Sequence, residues 1–319
     1  MKKIMKTIGL LLVLIWFFAA CSKTLPTDIP TEQPEPSDTT VTTPTTQPST
    51  QPITQPSTET ATQPSEPLVG WREADGNRYY YSDAGQPLTG WVTVEGAQYY
   101  FHEDGAMHVG WLELDSERYY LREDGTMAVG EMVIDDVSHF FTAKGKYVVL
   151  VNRWHPVPAD LKLELVEFQG YRVDAACAEA LGEMLSDCTA AGYDWHINSA
   201  YRSLEKQQSI WDRRYQNYIC AGYSSEEAER LVGQSVAVPG TSEHHLGLAV
   251  DIDGEVGVLQ WLSEHCWDYG FIVRYPEGKT DVTGIIYEPW HFRYVGNELA
   301  AQLHETGLCM EEYMQMLTQ

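Results

Sequence analysis

Three short polar segments in the C-terminal third hold the residues able to do chemistry. They are Ser199-Ala-Tyr-Arg-Ser203, Ser242-Glu-His-His-Leu-Gly-Leu-Ala-Val-Asp251 and Glu288-Pro-Trp-His-Phe-Arg-Tyr294. Imidazole nitrogen and carboxylate oxygen are the donors a hydrolytic zinc takes, three from the protein with one position left for water. His244 and Asp251, seven residues apart, and His291 from a later segment supply such a set for one Zn²⁺ per catalytic domain. Gly247 and Ala249 lie between the first two and are small enough for the chain to turn and for substrate to come close. The metal lowers the pKa of a bound water from ~15.7 toward ~7, which makes a nucleophile at neutral pH. Glu288, three residues before His291, can take that water's proton and pass it to a leaving amine, a step worth ~10²–10⁴-fold. Arg202 keeps its charge and offers a planar fork of donors for a terminal carboxylate, an oxyanion, or both. Singly these residues have plainer readings: a core histidine beside Trp290, an aspartate capping a turn, a surface arginine. Their order and company point to metal-assisted hydrolysis.

These segments need a scaffold, and residues 148–319 are long enough to bury one. Asp174 to Ala190 places Cys177, Leu181, Met184 and Cys188 on one helical face. Trp195 to Ala200 reads as a strand, followed by a helix from about Ser203. Ser224-Ser-Glu-Glu227 is a capping-box start. A helix is expected near Val256 to Tyr269, strands over Phe271 to Arg274 and Ile285 to Tyr294, and a final pair of short helices capped by Asn297 with Gly307 between them. Helices flanking a small antiparallel sheet make this region α+β.

Upstream, residues 68–147 carry an internal repeat of twenty residues. Gly70-Trp71, Gly90-Trp91 and Gly110-Trp111 keep the period, and Gly130-Glu131 continues it without the tryptophan. Tyr79-Tyr80-Tyr81, Tyr99-Tyr100-Phe101 and Tyr119-Tyr120-Leu121 recur in register. Aromatic runs punctuated by Gly and Asp read as β-hairpins, which cannot bury their faces alone and must stack into a solenoid. Residues 22–67 contain ten of the sixteen prolines and read as an extended linker with no core of its own. Residues 1–21 have a Lys-rich start and an apolar stretch too short to span a bilayer, the pattern of an export signal. They end Phe18-Ala-Ala-Cys21, which resembles the lipobox of bacterial lipoproteins, so Cys21 is the expected lipidation site and membrane anchor.

Five further cysteines are an odd number, so one at least is unpaired. Cys177 and Cys188 lie ~16 Å apart along their helix, beyond the ~7 Å a disulfide tolerates, and buried free thiols are expected. The net charge of −25 argues against nucleic acid and against charge-driven binding to anionic headgroups.

The three polar segments resemble the LAS metallopeptidases, the group of lysostaphin, D-Ala-D-Ala peptidases and Sonic hedgehog. The likeness is to the VanY-like D-alanyl-D-alanine carboxypeptidases and runs from about Leu150 to Gly296. The family pattern Ser-x-His-x-x-Gly-x-Ala-x-Asp falls on Ser242 to Asp251, Glu-x-Trp-His on Glu288 to His291, and Tyr-Arg-Ser on Tyr201 to Ser203. This register selects His244 over His245 as ligand and implies substrate contacts at Arg202, Gln207 and Ser242. It implies a zinc carboxypeptidase acting on the terminal D-alanine of peptidoglycan stem peptides. An L,D-carboxypeptidase of tetrapeptide stems shares the same motifs, and a cross-bridge endopeptidase or a non-catalytic wall-binding protein are the other readings. The repeats resemble the cell-wall-binding repeats of choline-binding and clostridial-toxin proteins. The second tryptophan of a choline cage is replaced here by Arg78, Gln98, Arg118 and Ser138, so a glycan or other wall polymer is the expected partner. The whole chain then reads as an extracytoplasmic, wall-associated and lipid-anchored protein of a Gram-positive bacterium.

Overall fold

The computed structural model describes residues 68–318 apart from Ser116. The export signal with Cys21 and the linker over 22–67 lie outside the described residues. No helix among the described residues is long and apolar enough to cross a membrane.

Four hairpins follow one another: β1 (Gly70–Ala74) with β2 (Asn77–Tyr81), β3 (Gly90–Val94) with β4 (Ala97–Phe101), β5 (Gly110–Leu114) with β6 (Glu117–Leu121), and β7 (Gly130–Ile134) with β8 (Val137–Phe141), to which β9 (Tyr147–Val148) adds a short edge. The first two loops, Asp75-Gly76 and Glu95-Gly96, have positive φ at both residues, the geometry that matches the twist of paired strands. Each hairpin then stacks on the next. Trp71 meets Tyr99, Trp91 meets Tyr119 and Trp111 meets His139, with ring centroids 5.0, 5.0 and 5.2 Å apart. The Met107 and Met127 amides donate back to the Arg78 and Gln98 carbonyls at 2.8 Å. This is the stacked array that the period requires. At two of the positions where a cage would have its second tryptophan, Arg78 and Arg118 lay guanidiniums over Trp71 and Trp111, 4.4 and 4.3 Å from the ring centroids.

The second region runs β10 (Leu165–Phe168), β11 (Tyr171–Asp174), α1 (Ala175–Ala190), β12 (Trp195–Ser199), α2 (Leu204–Cys220), α3 (Ser225–Val232), β13 (Ala249–Gly254), α4 (Val258–His265), β14 (Phe271–Tyr275), α5 (Thr280–Thr283), β15 (Glu288–Tyr294), α6 (Asn297–Thr306) and α7 (Met310–Thr318). It is α+β, as the pattern implies. The Asp174 carboxylate caps α1 by accepting from the Ala176 amide, and Ser224 caps α3 by accepting from the Glu227 amide. Three boundaries differ from expectation. The helix after Gly257 ends at His265 and continues only as a 3₁₀ turn, closed by Gly270 at φ 77°. The last strand starts at Glu288, because the Ile285 and Ile286 amides donate to Thr283 Oγ1 and the Gln234 carbonyl instead of a sheet neighbour. Gly296, not Asn297, caps α6, and its carbonyl accepts from the Ala300 amide. Cys177, Cys188, Cys266 and Cys309 are buried free thiols, whereas Cys220 is exposed at the end of α2.

An antiparallel sheet in the order β12-β13-β15-β14 organises this region. Side chains alternate across it with a period of two. Ile197, Val250, Ile252 and Phe292 pack on one side against Leu181, Met184 and Leu185 of α1 and Val258 and Leu262 of α4. The intervening residues, Asp251, His291 and Arg293, are therefore delivered to the opposite side, and Ser199 comes to pair with Asp251 past a bulge that interrupts the register between Ile197 and Ser199. A second cluster joins Phe140 of the last hairpin to Leu150, Ile272, Leu299, Leu303, Met310 and Tyr313. The hairpin array thus shares a core with α6 and α7. Gly130 shows how close the approach is: it sits at φ 70°, and a Cβ there would lie 2.9 Å from the Leu317 backbone.

Candidate metal centre

Sheet register assembles the site. Asp251 pairs with His291 across β13 and β15, Ser199 pairs with Asp251 across β12 and β13, and Glu288 pairs with Tyr275 across β14 and β15. Directly opposed side chains in such a sheet stand ~4.5–5.5 Å apart at Cβ, the spacing of ligands around one ion. His244 reaches the same point from a 3₁₀ turn, Glu243–Leu246, that Gly247 closes at φ 68°. A Cβ on Gly247 would meet the Asp174 amide at 2.9 Å, so this turn needs glycine for space and for conformation.

One ligand atom from each of His244, Asp251 and His291 lies within 4.8 Å of the other two, and all three residues are buried. His244 Nδ1 bonds the Ala200 carbonyl at 2.7 Å, so Nδ1 carries the proton and Nε2 turns its lone pair to the centre. Nε2 lies 3.2 Å from Asp251 Oδ2, and His291 Nδ1 lies 3.1 Å from Asp251 Oδ1. His244 Nε2 and Asp251 Oδ1 are buried without a hydrogen-bond partner. Converging, unsatisfied nitrogen and oxygen donors are a fit for Zn²⁺ and a cost without a cation.

The charges follow from burial and neighbours. Burial pushes His244 down to about 4, with Arg202 and His291 adding to the effect. Burial acts the same way on His291, but Asp251, Glu243 and Glu288 outweigh it and raise that ring to about 9. Burial would raise Asp251; His244 and His291 hold it well below the usual carboxylate range. Glu288 has no comparable hydrogen bonding, so burial pushes it up to about 7. Its Oε2 lies 3.6 Å from His291 Nδ1, beside the cluster and available as a base.

Arg202 stands at the edge of the cluster. Its Nη2 donates to Asp251 Oδ2 at 2.5 Å, Nε to Ser199 Oγ at 2.7 Å and Nη1 to Gln207 Oε1 at 3.2 Å. Gln207 was expected to touch substrate. It is fully buried, with Oε1 accepting from Arg202 and Nε2 donating to the Ala237 carbonyl at 2.7 Å. Ser242 does line the cleft, whose volume is about 220 Å³, with Arg202, Tyr275, Glu288 and Trp290. A larger recess of about 590 Å³ adjoins it and shares Tyr275 and Ile285. His245 uses both ring nitrogens structurally, Nδ1 on the Arg202 carbonyl and Nε2 on the Gly240 amide. It is a neighbour of the centre rather than a member.

Sequence reasoning missed Glu243, Arg274 and Arg293, buried charges packed behind His291. Arginines at positions 274 and 293 in otherwise apolar strands were the available signal, since buried arginine demands a buried partner.

Comparison with known proteins agrees with this geometry. A family model described as VanY, D-alanyl-D-alanine carboxypeptidase, matches residues 170–297, and one described as a choline-binding repeat matches residues 88–131. A D-alanyl-D-alanine carboxypeptidase of Enterococcus faecalis is 44% identical over 174 residues, covering 52% of this chain and 65% of the relative. A solved structure of the vancomycin-resistance D,D-pentapeptidase VanY in complex with Zn(II) is 43% identical, with a TM-score of 0.50, covering 52% of this chain and 97% of that one. A structure of VanYB with D-alanine-D-alanine gives 43% identity and a TM-score of 0.51, covering 52% and 96%.

Proposed function

Because the chain belongs to the VanY family of D-alanyl-D-alanine carboxypeptidases, we infer that it is a zinc-dependent D,D-carboxypeptidase that removes the terminal D-alanine of peptidoglycan stem peptides. The observation that carries this is the convergence of His244, Asp251 and His291 ligand atoms within 4.8 Å, beside a buried Glu288. His244 Nε2, an Asp251 carboxylate oxygen and His291 Nδ1 would hold the ion. When bound, zinc supplies a Lewis acid that acidifies the attacking water and polarises the scissile carbonyl.

The chain's own groups carry the rest. Glu288 takes a proton from water as its oxygen adds to the carbonyl carbon. It returns that proton to the nitrogen as the C–N bond breaks, so D-alanine leaves as a neutral amine and the stem gains a carboxylic acid, which then gives its proton to solvent. A pKa of about 7 suits both halves of that exchange. Arg202, fixed by Ser199, Gln207 and Asp251, presents the charge that a C-terminal carboxylate needs, which makes the cleft a reader of chain ends. Ser242 lines the same wall. The adjoining recess offers room for the preceding stem residues.

The reading extends to the whole chain. The hairpin array holds the hydrolase against its polymer and raises effective substrate concentration, and Cys21 anchors the exported protein to the membrane by lipid. Incorporation of labelled fatty acid that Cys21→Ser abolishes tests the anchor. For the enzyme, metal analysis and D-alanine release are compared in the parent and in His291→Ala. Stoichiometric zinc and D-alanine release that both disappear in the variant support the assignment; release unaffected by loss of zinc overturns it.

A further inference from the structure

The chemistry above gives no task to Glu243, although its carboxylate is fully buried one residue before His244. Its Oε1 accepts from Arg274 Nε at 2.7 Å and lies 3.2 Å from Arg293 Nη1. Its Oε2 has no hydrogen-bond partner and faces His291 Nε2 at 3.7 Å, a nitrogen that is also buried and unpartnered. The opposite nitrogen of the same ring, Nδ1, faces Asp251. Two orphaned groups aimed at each other across one ring define a carboxylate–imidazole pair that a small tightening would close.

We propose that Glu243 is the positioning residue of His291: it takes the Nε2–H, fixes the tautomer that leaves the Nδ1 lone pair free, and thereby sets the zinc affinity of the centre. This rests on reading His244, Asp251 and His291 as the zinc ligands. Carboxylates behind ligating imidazoles fix ring orientation and basicity, and their loss costs ~10–100-fold in metal affinity. The carboxylate is not free to turn away. Arg274 is itself held by Glu311 of α7 through bonds of 2.6 and 2.9 Å, and Arg293 donates to the Val149 carbonyl at 2.9 Å.

The test is zinc affinity of the full chain by chelator competition, with the visible spectrum of the cobalt(II) form as a second readout. In Glu243→Gln the two guanidiniums claim the amide oxygen, so the amide NH₂ turns to His291 and favours the wrong tautomer. The expected result is zinc bound ~10–100-fold more weakly with an altered cobalt spectrum. Leu303→Ala, a core truncation in the C-terminal cluster, is the stability control and should bind zinc as the parent does. If Glu243→Gln does not fold, Glu243→Asp keeps the charge for both arginines, draws back from His291 by one methylene and carries the same expectation. A folded variant within about two-fold of the parent, or an equal loss in Leu303→Ala, overturns the proposal. A parent that binds no zinc removes the ligand reading first and this proposal with it.

Discussion

The hairpin array and the four-stranded sheet are built from similar strands, but they bring residues together over very different distances along the chain. In the array, Trp71 meets Tyr80 of its own hairpin and Tyr99 of the next, so the stacking contacts from hairpin to hairpin are local and recur with the repeat. In the sheet, Ser199, Asp251 and His291 come from three strands and become neighbours only through register. Local repetition makes a surface that tolerates variation from unit to unit. Non-local register makes one site whose parts cannot be exchanged. Substitutions should therefore separate the two regions sharply.

The largest separation is expected from Glu288→Ala. It should lower kcat on a soluble pentapeptide ~10²–10⁴-fold while zinc content and wall association stay unchanged, checked by steady-state kinetics beside metal analysis. The same residue sets a pH dependence. Glu288 is raised to about 7 by burial and must be deprotonated to act as a base, so kcat/KM should fall as pH drops through an acid limb no higher than that value. Bound zinc, being a cation, moves the limb lower.

How much of this was legible in the sequence follows the same division. The period of Gly-Trp and Tyr-Tyr pairs exposes the array, because each repeat carries its own turn and its own partners. The centre was legible through residue type and order: His244, Asp251, His291, Glu288 and Arg202 meet where the motifs imply. What lay behind it was not. Glu243 reads as a spacer inside its motif, and only three-dimensional packing sets it between Arg274, Arg293 and His291. Gln207 is a second such case, since its position in α2 gave no sign that its amide would bond both Arg202 and the Ala237 carbonyl.

Arg202→Lys comes next in size. It keeps the charge and loses the fork; charge-assisted hydrogen bonds are worth about 1.5–3 kcal/mol, or roughly 10–100-fold in kcat/KM. The loss should fall mainly on KM and should vanish for a substrate with an amidated C-terminus. An equal loss on both substrates would mean that Arg202 does not read the chain end.

Phe140→Ala probes where the division fails. Phe140 belongs to the last hairpin but is buried with Leu299, Leu303 and Tyr313, so its truncation should destabilise the C-terminal region by ~3–5 kcal/mol. A single shifted unfolding transition is expected. A shift confined to the hairpins would show that the shared cluster does not couple the regions.

Trp91→Ala should have the smallest effect on catalysis. It lies in the second hairpin, where its ring meets Tyr100 and Tyr119 of the array, and sites that share no partners act independently. Activity on soluble stem peptides should stay within about two-fold, while co-sedimentation with purified walls weakens.

The decisive experiment offers the zinc-loaded full chain a pentapeptide and a tetrapeptide muropeptide, with Glu288→Ala as control and products read by mass spectrometry. Loss of one alanine from the pentapeptide alone, absent in the control, is the predicted result. Loss from the tetrapeptide alone, or no cleavage by a folded and zinc-loaded protein, would contradict a D,D-carboxypeptidase.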